Sequence, residues 1–248
     1  MVEVGIFGFG VEFGLHLIEE NANLTFIFFL GMSLLAALGL RFSYYAHRNM
    51  VTSEIESQVA IWKQIRFIGV FAALYAVTWI VDIVSSLQFT PKNGLLLAMV
   101  LFLVISLRQI IVSTDREPLG GSGQLDPILR LVFIVAIILY VLAVLLVGHN
   151  ERTALVEGVT GAGLVGYGVL LFRRQLSNTR LQGTMLDSLL RHLLPVLVFG
   201  GLVSIVALAI PFGIDRAVVL HIQIVFLIMT ATALMTATIK LRQNLAAL

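Results

Sequence analysis

Three titratable residues, Asp82, Glu157 and His221, stand inside stretches that are otherwise apolar enough to lie in lipid. An ionisable side chain in that setting costs a few kcal/mol or more, so it turns toward the protein interior and finds a partner. Asp82 belongs to the run 66–86, where Tyr75, Thr78, Trp79, Asp82, Ser85 and Ser86 share one face of a helix, while Phe71, Ile80, Val81 and Val84 lie elsewhere. At about 1.5 Å of rise per residue, Asp82 lies roughly 9 Å inside the outer end of its span, and Glu157 and His221 roughly 6 to 9 Å inside theirs. Two carboxylates and an imidazole at a common depth are the materials of a proton relay, a cation site or a ligand site opening outward. With the phenol of Tyr75 and the indole of Trp79 beside Asp82, these five residues form the candidate ligand- or ion-binding set. The competing reading has Glu157 and His221 reaching up to the headgroups, with Asp82 hydrogen-bonded to Tyr, Ser or Trp donors.

The elements that must position them follow from composition. Hydrophobic residues make up 59% of the 248 and charged residues 12%, with a mean hydropathy of +1.01. Soluble domains use about 45–50% and about 25% respectively, so the fold class is all-α, a polytopic membrane bundle. Seven spans and their loops leave no room for a further soluble domain of ordinary size. The expected organisation is an extracytoplasmic segment at 1–23, a seven-helix domain at 24–240 and a short cytoplasmic tail at 241–248. With no cysteine in the chain, disulfides, thiolate metal sites and cysteine nucleophiles are excluded.

In chain order, the first 23 residues carry Glu3, Glu12, Glu19 and Glu20 and lack a basic n-region, so they read as neither signal peptide nor span. A short interfacial helix with Phe7, Val11, Leu15 and Ile18 toward lipid is expected there. Span one is 24–40. Ser53-Glu54-Ile55-Glu56 is a capping box, so the second helix starts before its span at 66–86. Thr90-Pro91 opens span three, which runs to about Val112; 120–123 is a glycine-rich loop, and Asp126-Pro127 opens span four at 128–147. Span five, 153–172, spaces Gly158, Ala162 and Gly166 four apart, a small-residue face suited to close helix packing. The stretch 173–192 reads as a basic loop whose Met185, Leu186, Leu189 and Leu190 lie along the membrane. Span six, 193–210, contains Pro195 and Gly200-Gly201 as bend sites, and span seven follows Asp215 to about Ile239.

With these spans, thirteen of the 16 Lys and Arg residues fall on one side, from Arg41 through Arg242, and only Lys92, Arg152 and Arg216 on the other. The positive-inside rule then puts the amino terminus outside and the carboxyl terminus in the cytoplasm of the cell membrane. That layout resembles microbial rhodopsins and receptor-type bundles in helix number, sidedness and short loops. The resemblance stops there, because a retinal Schiff base would need a lysine in mid-helix seven, and 226–233 has none; Lys240 lies at the cytoplasmic end.

No HExxH, nucleophile-elbow or Walker motif is present, so no enzyme, metal or cofactor is expected, and no nucleic-acid partner. Two classes of function remain. The first binds a small ligand or ion from outside, for transport or signalling. The second is a structural or accessory subunit whose glycine face on span five meets a membrane-protein partner or a second copy.

Overall fold

The computed structural model describes residues 2–6, 9–53, 56–86, 91–114, 125–176 and 185–246. Seven α-helices are found among them: α1 (Ala22–Thr52), α2 (Glu56–Val84), α3 (Lys92–Thr114), α4 (Leu125–Val147), α5 (Glu151–Leu176), α6 (Met185–Val206) and α7 (Arg216–Ala246). All but α4 contain a stretch long and apolar enough to cross a bilayer, and α4 contributes the shorter apolar stretch Leu131–Val147. This is a helical bundle compatible with an integral membrane protein.

Helix ends follow local chemistry. Asn21 caps α1, its Oδ1 accepting from Leu24 N at 3.0 Å, and Asp215 Oδ1 accepts from Ala217 N at 2.7 Å at the start of α7. Between α6 and α7 the chain tightens into a 3-10 segment, Ala207–Phe212, which stops at Gly213 with φ of 83°, a left-handed position that glycine takes without a Cβ clash. Pro195 is accommodated inside α6, which continues on either side of it.

α1 packs most extensively on α2 and also on α7; α3 bridges α2, α5 and α6, and α4 sits at the periphery against α3 and α5. The core is apolar, with Phe28, Phe42, Ile65, Leu96 and Leu234 fully buried. Ile138, Leu139, Leu142 and Leu145 of α4 are exposed, the surface expected to contact lipid. α1 and α2 cross backbone to backbone at Gly39 and Gly69. A Cβ on Gly69 would lie 2.5 Å from Gly39 O, and one on Gly39 2.8 Å from Gly69 O, so only hydrogen fits at either position. The threonines of α7 bond back to their own helix, Thr230 to Phe226 O and Thr238 to Leu234 O, each at 2.7 Å, as such residues do in apolar surroundings.

Two expectations are corrected. The interfacial helix at the amino terminus is replaced by an antiparallel hairpin of β1 (Val2–Ile6) and β2 (Phe9–Phe13), with Val4 opposite Val11. Apolar residues there recur at a period nearer two than 3.6, with glycine at Gly5 and Gly10, and that pattern favours pairing over a helix. The membrane-lying loop is the second: α6 begins at Met185, and Leu189 and Leu190 are buried. Met185, Leu186, Leu189, Leu190 and Leu193 continue the 3.6 periodicity of the span, so they extend its helix rather than leave it. Phe7, Glu54 and Ile55 of the capping box, Thr90, the loop at 120–123 and Arg180 lie outside the described residues.

Candidate functional site

Where α2 ends and α3, α5 and α7 begin, the bundle opens into a polar cavity of about 430 Å³. Residues 16–19 line its edge. Gly14 N and His16 N donate to Val84 O (3.2 Å) and Ile83 O (2.8 Å), supplying partners to carbonyls at the carboxyl end of α2. Glu19 and Glu20 then adopt φ of 48° and 56°, a left-handed conformation that costs a non-glycine residue of order 1 kcal/mol. The turn brings Glu19 Oε1 to 3.3 Å from Arg216 Nε at the start of α7.

At the floor, Asp82 of α2 pairs with Lys92, the first residue of α3. Lys92 Nζ also lies 3.5 Å from the centre of the Trp79 ring, over which a cation is attracted by the π face. The two charged side chains are only 11% and 19% exposed, so their attraction is weakly screened. The next residue, Asn93, lines the same cavity and donates its Nδ2 to Glu157 Oε2 at 2.9 Å. Tyr140 Oη of α4 donates to the same oxygen at 3.0 Å. Glu157 is fully buried, and among the described residues its Oε1 has no hydrogen-bond partner. Tyr75, one turn before Trp79, is buried in the bundle.

His149 enters from the connection between α4 and α5. Gly148, with φ of 78°, closes α4 through its N–H to Val144 O, and Asn150 caps α5 with Oδ1 accepting from Thr153 N at 3.1 Å. Held between these two caps, the imidazole faces the cavity; burial first, then the positive charges of Arg216 and Lys92, push its pKa down to about 4. Gln223 of α7 closes the far wall, donating to Val203 O at 2.8 Å.

The structure therefore brings Asp82 and Trp79 into the cavity and places Glu157 and Tyr75 behind it, with Asn93 joining the two layers. His221 lies outside this group. It is exposed, with Nδ1 2.6 Å from Ala217 O of its own helix, so of the three titratable residues at one depth the two carboxyl groups come near the cavity, with a lysine, and the imidazole does not. On α5, Gly158 is buried and a Cβ there would lie 2.3 Å from Leu208 Cγ, whereas Ala162 and Gly166 are exposed and a Cβ on Gly166 meets nothing within 4 Å.

Sequence reasoning missed Lys92, Asn93, Tyr140 and His149. A signal for two of them existed: a connection as short as the one before Pro91 returns the chain to the level at which Asp82 leaves it. Tyr140 stands at nearly the same distance from Gly148 as Glu157 does on the other side, which puts both at one depth in a helical hairpin. No protein-family model matches the chain, and neither a curated protein nor a solved structure is found to be similar to it.

Proposed function

We propose that this chain is a seven-span protein of the cell membrane, amino terminus outside and carboxyl terminus in the cytoplasm, that binds a small polar ligand or ion from outside for transport or signalling. It is a binding protein rather than an enzyme. The observation that carries this reading is the layered site: a cavity floored by Asp82, Lys92 and Trp79, joined through Asn93 to the buried carboxyl group of Glu157, whose Oε1 has no partner among the described residues. A bundle locked together only by polar contacts has no need of an open cavity, nor of a carboxyl oxygen left without a partner at a cost of about 1–3 kcal/mol.

Two acid–base pairs face the cavity, Asp82 with Lys92 and Glu19 with Arg216, so the charge presented to an occupant is balanced. Such a surface complements a small zwitterion, whose ammonium group meets Asp82 and the Trp79 face while its carboxylate meets Lys92 or Arg216. Glu157, with no base in hydrogen-bond contact among the described residues, is stable in the interior as the neutral acid or beside a bound cation, and so supplies a station for a proton or ion drawn from the cavity. The sidedness rests on the thirteen-to-three distribution of basic residues. The parallel course of α1 and α7, with Glu19 just before α1 meeting Arg216 at one end and Asn49 meeting Leu241 at the other, fits an odd number of spans with the two termini on opposite sides.

The test is a thermal-shift panel on the detergent-solubilised full chain with amino acids, simple carboxylates, primary amines and alkali cations. A zwitterion in large excess over its Kd should raise the melting temperature by a few degrees. Asp82→Asn and Lys92→Gln should each remove that shift, while His221→Ala should keep it. No shift with any member of the panel, or a shift that survives Asp82→Asn, overturns the assignment.

A further inference from the structure

The opposite end of the bundle holds a second cavity, about 550 Å³, between α1 and α7. Because the two helices run parallel, its lining is sorted along their length. Leu38, Met235 and Ile239 come first; Arg41 and Arg242 follow one turn nearer the helix ends. Met235 and Ile239 are exposed on the lipid-facing side, while Leu38 and Thr238 form a buried floor. Neither arginine has a carboxylate partner among the described residues, and neither helix carries an Asp or Glu over 38–52 or 235–246. Two guanidinium groups thus border one cleft with no carboxylate beside them among the described residues. Like charges so placed repel, and an anion between them converts the repulsion into charge-assisted hydrogen bonds.

The apolar half of the cleft decides what kind of anion. Inorganic phosphate would satisfy the arginines and leave the surface of Leu38, Met235 and Ile239 uncovered, whereas an amphiphile satisfies both. We propose that this cleft binds one anionic phospholipid, its phosphate between Arg41 and Arg242 and one acyl chain along Leu38, Met235 and Ile239. Basic pockets between spans at the cytoplasmic surface suit such headgroups. The site requires only that α1 and α7 lie in a bilayer, and it stands or falls independently of the cavity at the other end.

Native mass spectrometry of the full chain, released from micelles doped with equal phosphatidylglycerol and phosphatidylcholine, reads the preference directly. One phosphatidylglycerol should be retained over phosphatidylcholine. Arg41→Gln or Arg242→Gln should each lower the preference about fivefold, and the double variant about 30-fold. Arg41→Lys with Arg242→Lys keeps the charge, loses the planar fork and should fall between. Both arginines are solvent-exposed, and melting of each variant in detergent verifies that it folds; if the double variant does not, the wild-type preference and the single variants decide. Equal retention of the two lipids, or a preference untouched by Arg242→Gln, overturns the proposal. Displacement of the lipid by soluble glycerol phosphate at the same concentration also overturns it, by showing a site for the free anion.

Discussion

At His149 the backbone sets the chemistry, because the left-handed Gly148 and the Asn150 cap hold the residue between two helix ends at the cavity wall. Its pKa falls from 6.5 to about 4, so between those values the unfolded chain binds a proton that the folded one refuses. Stability contributed by the neutral ring is therefore complete above about pH 6.5 and lost as the pH falls toward 4. Melting temperature measured across that window should drop more steeply for the wild type than for His149→Gln, and parallel curves would contradict the burial. The sequence shows His149 only as a loop residue. Asp82 is different: a carboxylate in an apolar run announces itself, yet its partner Lys92 is chosen by the path of the connection between two helices, which no local pattern records.

Among the elements, glycine spacing is an incomplete guide to packing. The regular Gly158, Ala162, Gly166 series divides in the structure, with one member against Leu208 and two at the surface, while a backbone-to-backbone crossing is made by Gly39 and Gly69, each four residues before a second small residue, Ser43 and Ala73. Gly69→Ala would drive its Cβ to 2.5 Å from a backbone oxygen, so α1 and α2 must separate, at a cost of about 1–3 kcal/mol. Gly166→Ala meets open space and should leave melting unchanged or slightly raised. Thermal unfolding of the two variants side by side in detergent checks the contrast; a similar loss for both would mean that Gly166 faces a partner in solution. Helix extents were largely legible, because hydropathy and period 3.6 are local properties. The departures, the β1–β2 hairpin and the early start of α6, fall where charged residues lower the hydropathy, although the period near two of the first and the 3.6 period of the second are both present in the sequence.

For the whole molecule, sidedness is the property most open to direct measurement. A reporter fused after Leu248 should be cytoplasmic and one fused before Met1 should be outside; both on one side would refute seven spans. That expectation needs only the distribution of Lys and Arg, since orientation is set by loop charge during insertion and not by the final packing. The sequence by itself likewise determined the class of protein, the positions of the helices and the presence of two carboxyl groups among apolar residues, all of which depend on composition and short-range periodicity. Only the tertiary structure decided that Asp82 meets Lys92 and Trp79, that Glu157 reaches the cavity through Asn93, and that His221 turns away from both. The reason is physical: in a membrane the lipid-facing side of a helix is as apolar as its packed side, so hydropathy does not record how each helix is rotated about its axis. That rotation follows from close contacts such as Gly39 on Gly69 and from hydrogen bonds between distant residues, which exist only once the helices have met.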